Sequence, residues 1–234
     1  MDLRLKEVCE LLNVSETTTK RWISDGKIPY YKLHNQYRFS RSEIENWVLS
    51  CKQDGEIALF DNDDPTKESL GTHQFGLFRA IHRGGVYTNV EGNTKEELIQ
   101  NSMNLIAKDL NLDADVITDL LLDRENLMPT ALSNGVAVPH TRDFLLQEAY
   151  DVIAVVFLKD PIEYGALDNK PVHTLFFLFA CDDKRHLNLL AKLAHLSSKP
   201  EHLEFLQNHP EKGNLLQFIK NWESNIKLRD PAPV

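Results

Sequence analysis

At 234 residues, with 42% hydrophobic and 26% charged side chains, the chain has the balance of a folded globular protein and room for two domains. Its longest apolar run, Leu175 to Cys181, is too short to cross a bilayer, and a net charge of −9 excludes a uniformly basic nucleic-acid binder. The charge is uneven: residues 1–50 hold eight Lys/Arg against seven Asp/Glu, leaving 18 of the 26 basic and 28 of the 35 acidic residues to the remainder.

Taken in chain order, Leu5, Val8, Leu11 and Leu12 recur at helical spacing, and Ser15 is placed to cap a second helix that stops near Gly26. Residues 28–33 and 37–39 read as strands around His34-Asn35-Gln36, a hairpin wing. Ser40 then opens a third helix carrying Ile44, Trp47 and Val48. Residues 1–50 thus predict a small winged helix-turn-helix head. Residues 51–73 are dominated by Asp and Glu around Pro65 and predict an acidic linker, although Ile57-Ala58-Leu59-Phe60 within it is apolar.

A second domain is expected over 74–225, with a tail at 226–234. Its elements are a helix over Phe75 to Ile81, a strand over Val86 to Val90, helices over 95–110 and 115–124, and a short strand ending at Pro139. Buried strands follow over 152–158 and 173–180, then a helix over 185–196 and two more beginning near Leu203 and Leu215. The predicted fold class is α/β in two domains, the second a sandwich of mixed sheet flanked by helices. Trp22, Ile23 and Trp47 are expected in the head's core, and His173 as a partly buried strand histidine.

Cys9, Cys51 and Cys181 are scattered and lack CxxC spacing, so neither a disulfide framework nor a cysteine metal site is expected. The nine histidines show no H-x-x-H or HExxH spacing, so no metal and no cofactor are expected either. With no signal-peptide core at the N-terminus, the expected setting is the cytoplasm, without membrane insertion.

The stretch LKEVCELLNVSETTTKRWISDGKIPYYKLHNQYRFSRSEIENWV resembles the excisionase and MerR-type helix-turn-helix family. That resemblance implies DNA as a partner, with the second helix in the major groove. Ser15, Thr17, Thr18 and Thr19 offer short hydrogen-bonding side chains, and Lys20 and Arg21 reach phosphate or guanine. On the wing, Lys32, His34, Asn35, Gln36 and Arg38 face the backbone or minor groove. One reading helix gives a small footprint, so a homodimer on paired half-sites is expected.

The stretch LLLDRENLMPTALSNGVAVPHTR, continued by KPVHTLFFLFACDDKRHLNLLAKLAHL, resembles the type-2 enzyme IIA domain of the bacterial phosphotransferase system. This group includes mannitol, fructose and nitrogen-regulatory members. The resemblance implies that His140 accepts a phosphoryl group from a histidine phosphocarrier protein. His186 is then a second active-site histidine that stabilises the group, and Arg124 belongs with them. The residues suit the chemistry. Phosphoryl transfer needs positioning and charge stabilisation, and a neutral imidazole is a competent nucleophile. Arg124, Arg142 and Thr130 are candidate phosphate-binding groups, as are the N–H groups at the start of the helix bearing His186. The role also requires the His140 ring to stand open to a donor protein.

Three readings remain at this level. The first is a regulatory phosphocarrier whose state is coupled to DNA binding, with the acidic domain competing with DNA for the basic head. The second is a transport enzyme IIA passing phosphate to a separate IIB domain. The third is a DNA-binding or interaction protein with an inactive IIA scaffold. In the first two the chain is a stoichiometric relay rather than a free-standing catalyst.

Overall fold

The computed structural model describes residues 3–12, 14–50, 76–141 and 150–226. The predicted acidic linker, the 226–234 tail beyond its first residue, and Arg142 lie outside the described residues.

The head comprises β1 (Leu3–Arg4), α1 (Leu5–Leu12), α2 (Glu16–Ser24), β2 (Tyr31–Leu33), β3 (Gln36–Phe39) and α3 (Arg41–Ser50). Ser15 opens α2 from an extended conformation, its hydroxyl accepting the Thr18 N–H at 3.0 Å. β2 and β3 pair with Leu33 opposite Gln36. His34 and Asn35 between them take φ of 46° and 63°, the two-residue turn that matches the twist of paired strands. Periodicity gives no hint of β1, whose two residues join the edge of β3. Trp22 and Trp47, 5.3 Å apart, pack with Ile23, Phe39 and Ile44 in the head's core.

The second domain follows as α4 (Gly76–Gly84), β4 (Val86–Val90), α5 (Lys95–Leu110), α6 (Ala114–Leu127), β5 (Ala131–Leu132) and β6 (Val136–Ala137). It continues with β7 (Val152–Ile162), β8 (Val172–Phe179), α7 (Asp183–Leu196), α8 (Pro200–Gln207) and α9 (Lys212–Ile226). The five strands form one mixed sheet in the order β4-β7-β8-β6-β5. β7 and β8 run antiparallel at its centre, while β4 lies parallel to β7 and β6 parallel to β8.

Alternation along the two central strands divides the interior between the faces of the sheet. Ile153, Val155, Phe157, Phe176 and Leu178 pack with Leu77 and Ile81 of α4, Leu187 and Leu190 of α7, and Ile219 of α9. Val152, Ala154, Val156, Leu175 and Phe177 pack with Leu98 and Met103 of α5 and Leu121 of α6. Helices on both faces make an α/β sandwich. α4 closes onto β7 because Gly84 carries no side chain, and a Cβ there would collide with the Ile153 carbonyl.

The head is not held apart from this sandwich. Its α1 and α3 pack against α7, and α3 also reaches β5. The apolar residues of head and α7 belong to one continuous buried cluster. This packing brings the head onto the part of the second domain that carries His140 and His186.

Candidate functional site

His140 sits just beyond β6, bridged to Leu178 of β8 as a parallel continuation of that pairing. Leu178 N–H donates to Pro139 O at 3.0 Å, so the backbone on both sides of the histidine is fixed by the sheet. Its ring is fixed as well: Nδ1–H donates to the Val138 carbonyl at 2.7 Å. A carbonyl only accepts, so this bond places the proton on Nδ1 and leaves the lone pair on Nε2.

His186, in the first turn of α7, meets the His140 ring edge-on, with centroids 4.9 Å apart at 72°. Burial, reinforced by the His140 ring and the cationic Arg41 and Arg124, pushes the His186 pKa well below the ordinary histidine value. It is therefore a neutral imidazole at pH 7. The start of α7 is already capped, since Asp182 accepts the Arg185 N–H at 2.9 Å and pairs with Arg185 Nε at 3.2 Å. That cap takes up the Arg185 N–H, one of the N–H groups at this helix end that were expected to meet phosphate. The neighbouring Cys181 thiol, pushed up to about 11 by burial and by Asp151, stays protonated.

Arg124, 4% exposed in the last turn of α6, donates from Nη1 to Met128 O at 2.9 Å and is close enough to depress His186. Sequence reasoning grouped Arg124, His140 and His186, and the fold brings all three together. Thr130 is placed differently from the expected phosphate contact. It is fully buried, its N–H donates to Glu125 Oε2 at 3.0 Å, and its hydroxyl hydrogen-bonds Glu125 Oε1. Burial raises the Glu125 pKa against the opposing pull of Thr130, Lys95 and Arg124. Thr130 thus braces the loop between α6 and β5 from inside.

The expected open imidazole is not what the structure shows: His140 is only 1% exposed. α3 of the head lies across α7 and β5, and places Glu45 in the site. Glu45 is 3% exposed, with Oε1 3.2 Å from Arg41 Nε and 3.9 Å from His186 Nε2. No sequence signal singles out Glu45. It is an ordinary helix glutamate whose partner lies 141 positions away.

In the head, the expected DNA-facing residues separate into two groups. Thr18 and Thr19 are buried, Thr18 against the Ser15 cap and Thr19 through its hydroxyl to Ser15 O at 3.2 Å and Cys9 Sγ at 3.2 Å. Ser15, Thr18 and Thr19 therefore build the motif, Ser15 as the partly exposed cap and the two threonines with their hydroxyls bonded within the head. Thr17, Lys20, Arg21, Lys32, His34, Asn35 and Gln36 are exposed, and Arg38 is partly so. The head packs on the second domain through α1 and α3 while these residues face solvent, so the expected competition between acidic domain and DNA for the basic face does not arise in this arrangement.

His173 is buried on β8, with Nδ1 2.8 Å from Thr174 Oγ1. Burial and nearby His209 lower its pKa, against the opposing backbone of Asn134. Among the described residues no group of three or more His, Cys, Asp or Glu is arranged to hold a metal ion, and no helix is long and apolar enough to cross a membrane.

Residues 80–222 match the family model of the phosphoenolpyruvate-dependent sugar phosphotransferase system, EIIA 2, and residues 3–52 match that of a helix-turn-helix domain. The chain is 32% identical over 146 residues to the nitrogen regulatory protein of Pseudomonas aeruginosa, a match covering 61% of this chain and 94% of that one. It is also 32% identical over 83 residues to the transcriptional repressor DcmR of Methylorubrum extorquens, 34% of this chain and 31% of that one. Among solved structures, the nitrogen regulatory protein IIA-Ntr from Neisseria meningitidis superposes with a TM-score of 0.55 at 25% identity, covering 61% of this chain and 98% of that one.

Proposed function

Because the chain belongs to the EIIA type-2 family of the phosphotransferase system and carries a helix-turn-helix head, we propose that it is a regulatory phosphocarrier. In this reading His140 accepts a phosphoryl group from a histidine phosphocarrier protein, and its phosphorylation state is passed to a DNA-binding head. The observation that carries the reading is the His140 ring, whose Nδ1–H bond to Val138 O sets the tautomer with the lone pair on Nε2.

The transfer balances without a proton moving at the acceptor. The P–N bond to the donor's ring nitrogen breaks, returning its electron pair to the donor, as Nε2 of His140 forms the new P–N bond. The Nδ1 proton stays in its bond to Val138 O, where it stabilises the positive charge arising on the ring. Neutral His186 is suited to donate a hydrogen bond to the arriving oxygens, and the Arg124 guanidinium supplies charge of opposite sign. DNA is the partner of the exposed Thr17, Lys20, Arg21, Lys32, Asn35 and Arg38. A reading head fused to the relay favours regulation over transport, in which a separate IIB domain would take the phosphate.

Incubation with phosphoenolpyruvate, enzyme I and the phosphocarrier protein tests this reading. Acid-labile phosphate is expected on the full chain and is expected to vanish in His140→Ala. Undiminished labelling of His140→Ala refutes the assignment.

A further inference from the structure

The head reaches the phosphoacceptor site with a carboxylate, and this contact has a consequence for both domains. Glu45 is one of few acidic side chains nearly sealed from water in the described residues, at 3% exposure. A carboxylate is rarely buried to that degree without compensating charge. Arg41, one turn earlier on α3, supplies part of it at 3.2 Å. The rest of the surroundings belong to the second domain: His186 Nε2 stands 3.9 Å from Glu45 Oε1, and Arg124 and Arg41 both lie close enough to act on that imidazole. An anionic oxygen of the head therefore occupies the neighbourhood of the histidine pair, among the groups that suit a phosphoryl group.

We propose that the head is the resident occupant of the phosphoacceptor face, with the Glu45 carboxylate seated where the phosphoryl group arrives, so that head docking and phosphorylation of His140 exclude each other. The inference rests on His140 being the acceptor. It follows from two physical limits. A donor protein must bring its own phosphohistidine into contact with Nε2, and a ring only 1% exposed, packed on the His186 imidazole that Glu45 of α3 meets, admits no such partner. Once formed, the phosphoryl group carries close to two negative charges, and Glu45 beside it would be a like charge in a dry site, competing with it for Arg41 and Arg124. Donor binding thus requires release of the head, and the phosphoryl group then bars its return.

Docking through α1 and α3 leaves α2 and the β2–β3 hairpin facing solvent. Release therefore changes how the head is tethered rather than whether its reading helix is accessible.

The test compares the full-length protein with Glu45→Arg and Glu45→Gln, using two readouts. Small-angle X-ray scattering reports head release as a larger maximum dimension. The rate of acid-labile labelling from phosphoenolpyruvate, enzyme I and the phosphocarrier protein reports acceptance. Glu45→Arg places a cation against Arg41 and Arg124, so it is expected to extend the particle. It is also expected to speed labelling about ten-fold or more, since apparent acceptance scales with the open fraction. Glu45→Gln keeps the side chain's shape and is expected to fall between wild type and Glu45→Arg, guarding against a misfolded arginine variant. Phosphorylated wild type should show the extended profile. Equal labelling rates in all three proteins, or an unchanged profile after phosphorylation, overturn the exclusion while leaving His140 as the acceptor. Absence of label from every protein, with the head released in Glu45→Arg, overturns the phosphocarrier reading itself.

Discussion

Glu223 on α9 fastens the helix that carries His186. Its carboxylate accepts the Leu77 N–H at 3.1 Å, the Phe78 N–H at 2.9 Å and the Lys192 ammonium at 2.7 Å, and it is 4% exposed. One side chain thus satisfies two N–H groups at the start of α4 and neutralises a lysine of α7 that is itself 9% exposed. Glu223→Ala would leave a buried ammonium and two buried donors. Breaking such a pair from one side costs about 3–5 kcal/mol, more than the pair contributes over an apolar replacement. For a chain of this size that lowers the thermal midpoint by about 6–20 °C. Urea unfolding at pH 7 and calorimetry measure it. The double variant Glu223→Leu/Lys192→Met should regain much of the loss, because it removes the stranded charge. A loss below about 1 kcal/mol in Glu223→Ala would refute the argument, since exposed pairs cost no more than that.

Acid should weaken the fold through histidines. The pKa values of His173 and His186 are both lowered in the folded chain, so the stability they contribute is complete above the unfolded value near 6.5. It is lost as pH falls below that value, because the unfolded chain then binds protons the folded one refuses. The slope of unfolding free energy is bounded at about 1.4 kcal/mol per pH unit for each group, and it should flatten in His186→Gln. A flat profile between pH 6.5 and 5 contradicts this. Gly135→Ala should destabilise by at least about 1–3 kcal/mol, the cost of a strained backbone. Gly135 takes φ of 81°, and a Cβ there would strike the His173 ring; denaturant midpoints decide the matter. On duplex DNA, Arg21→Ala should reduce the dependence of log affinity on log salt by about one, the value of a single phosphate contact. Equal slopes would remove Arg21 from the interface.

Much of the architecture was legible because local pattern and tertiary demand agree. Ser15, the His34-Asn35 turn and the runs over 152–158 and 173–180 each satisfy a short-range rule that the fold also needs. β1 and β5 were not legible as strands, because two residues give no period and pairing alone makes them strands. The site divides along the same line. His140, His186 and Arg124 stand in recognisable surroundings, and the fold gathers them. The Thr130–Glu125 pairing was not legible because their distance, five residues, is set by a loop rather than by a helix face. The burial of Thr18 and Thr19 was not legible because the inward side of a short helix cannot be told from the outward side by polar residues alone. Glu45 was invisible because its meaning depends entirely on how one domain settles on the other.

The phosphorylated atom can be observed directly. Histidine-selective ¹⁵N labelling of the full-length protein, followed by NMR during phosphorylation by the phosphocarrier protein, resolves which ring nitrogen bonds to phosphorus. The Val138 carbonyl holds Nδ1–H of His140, so the new P–N coupling should fall on Nε2 of that residue with the Nδ1 proton retained. Coupling at Nδ1, or on any other histidine of the chain, would contradict the account.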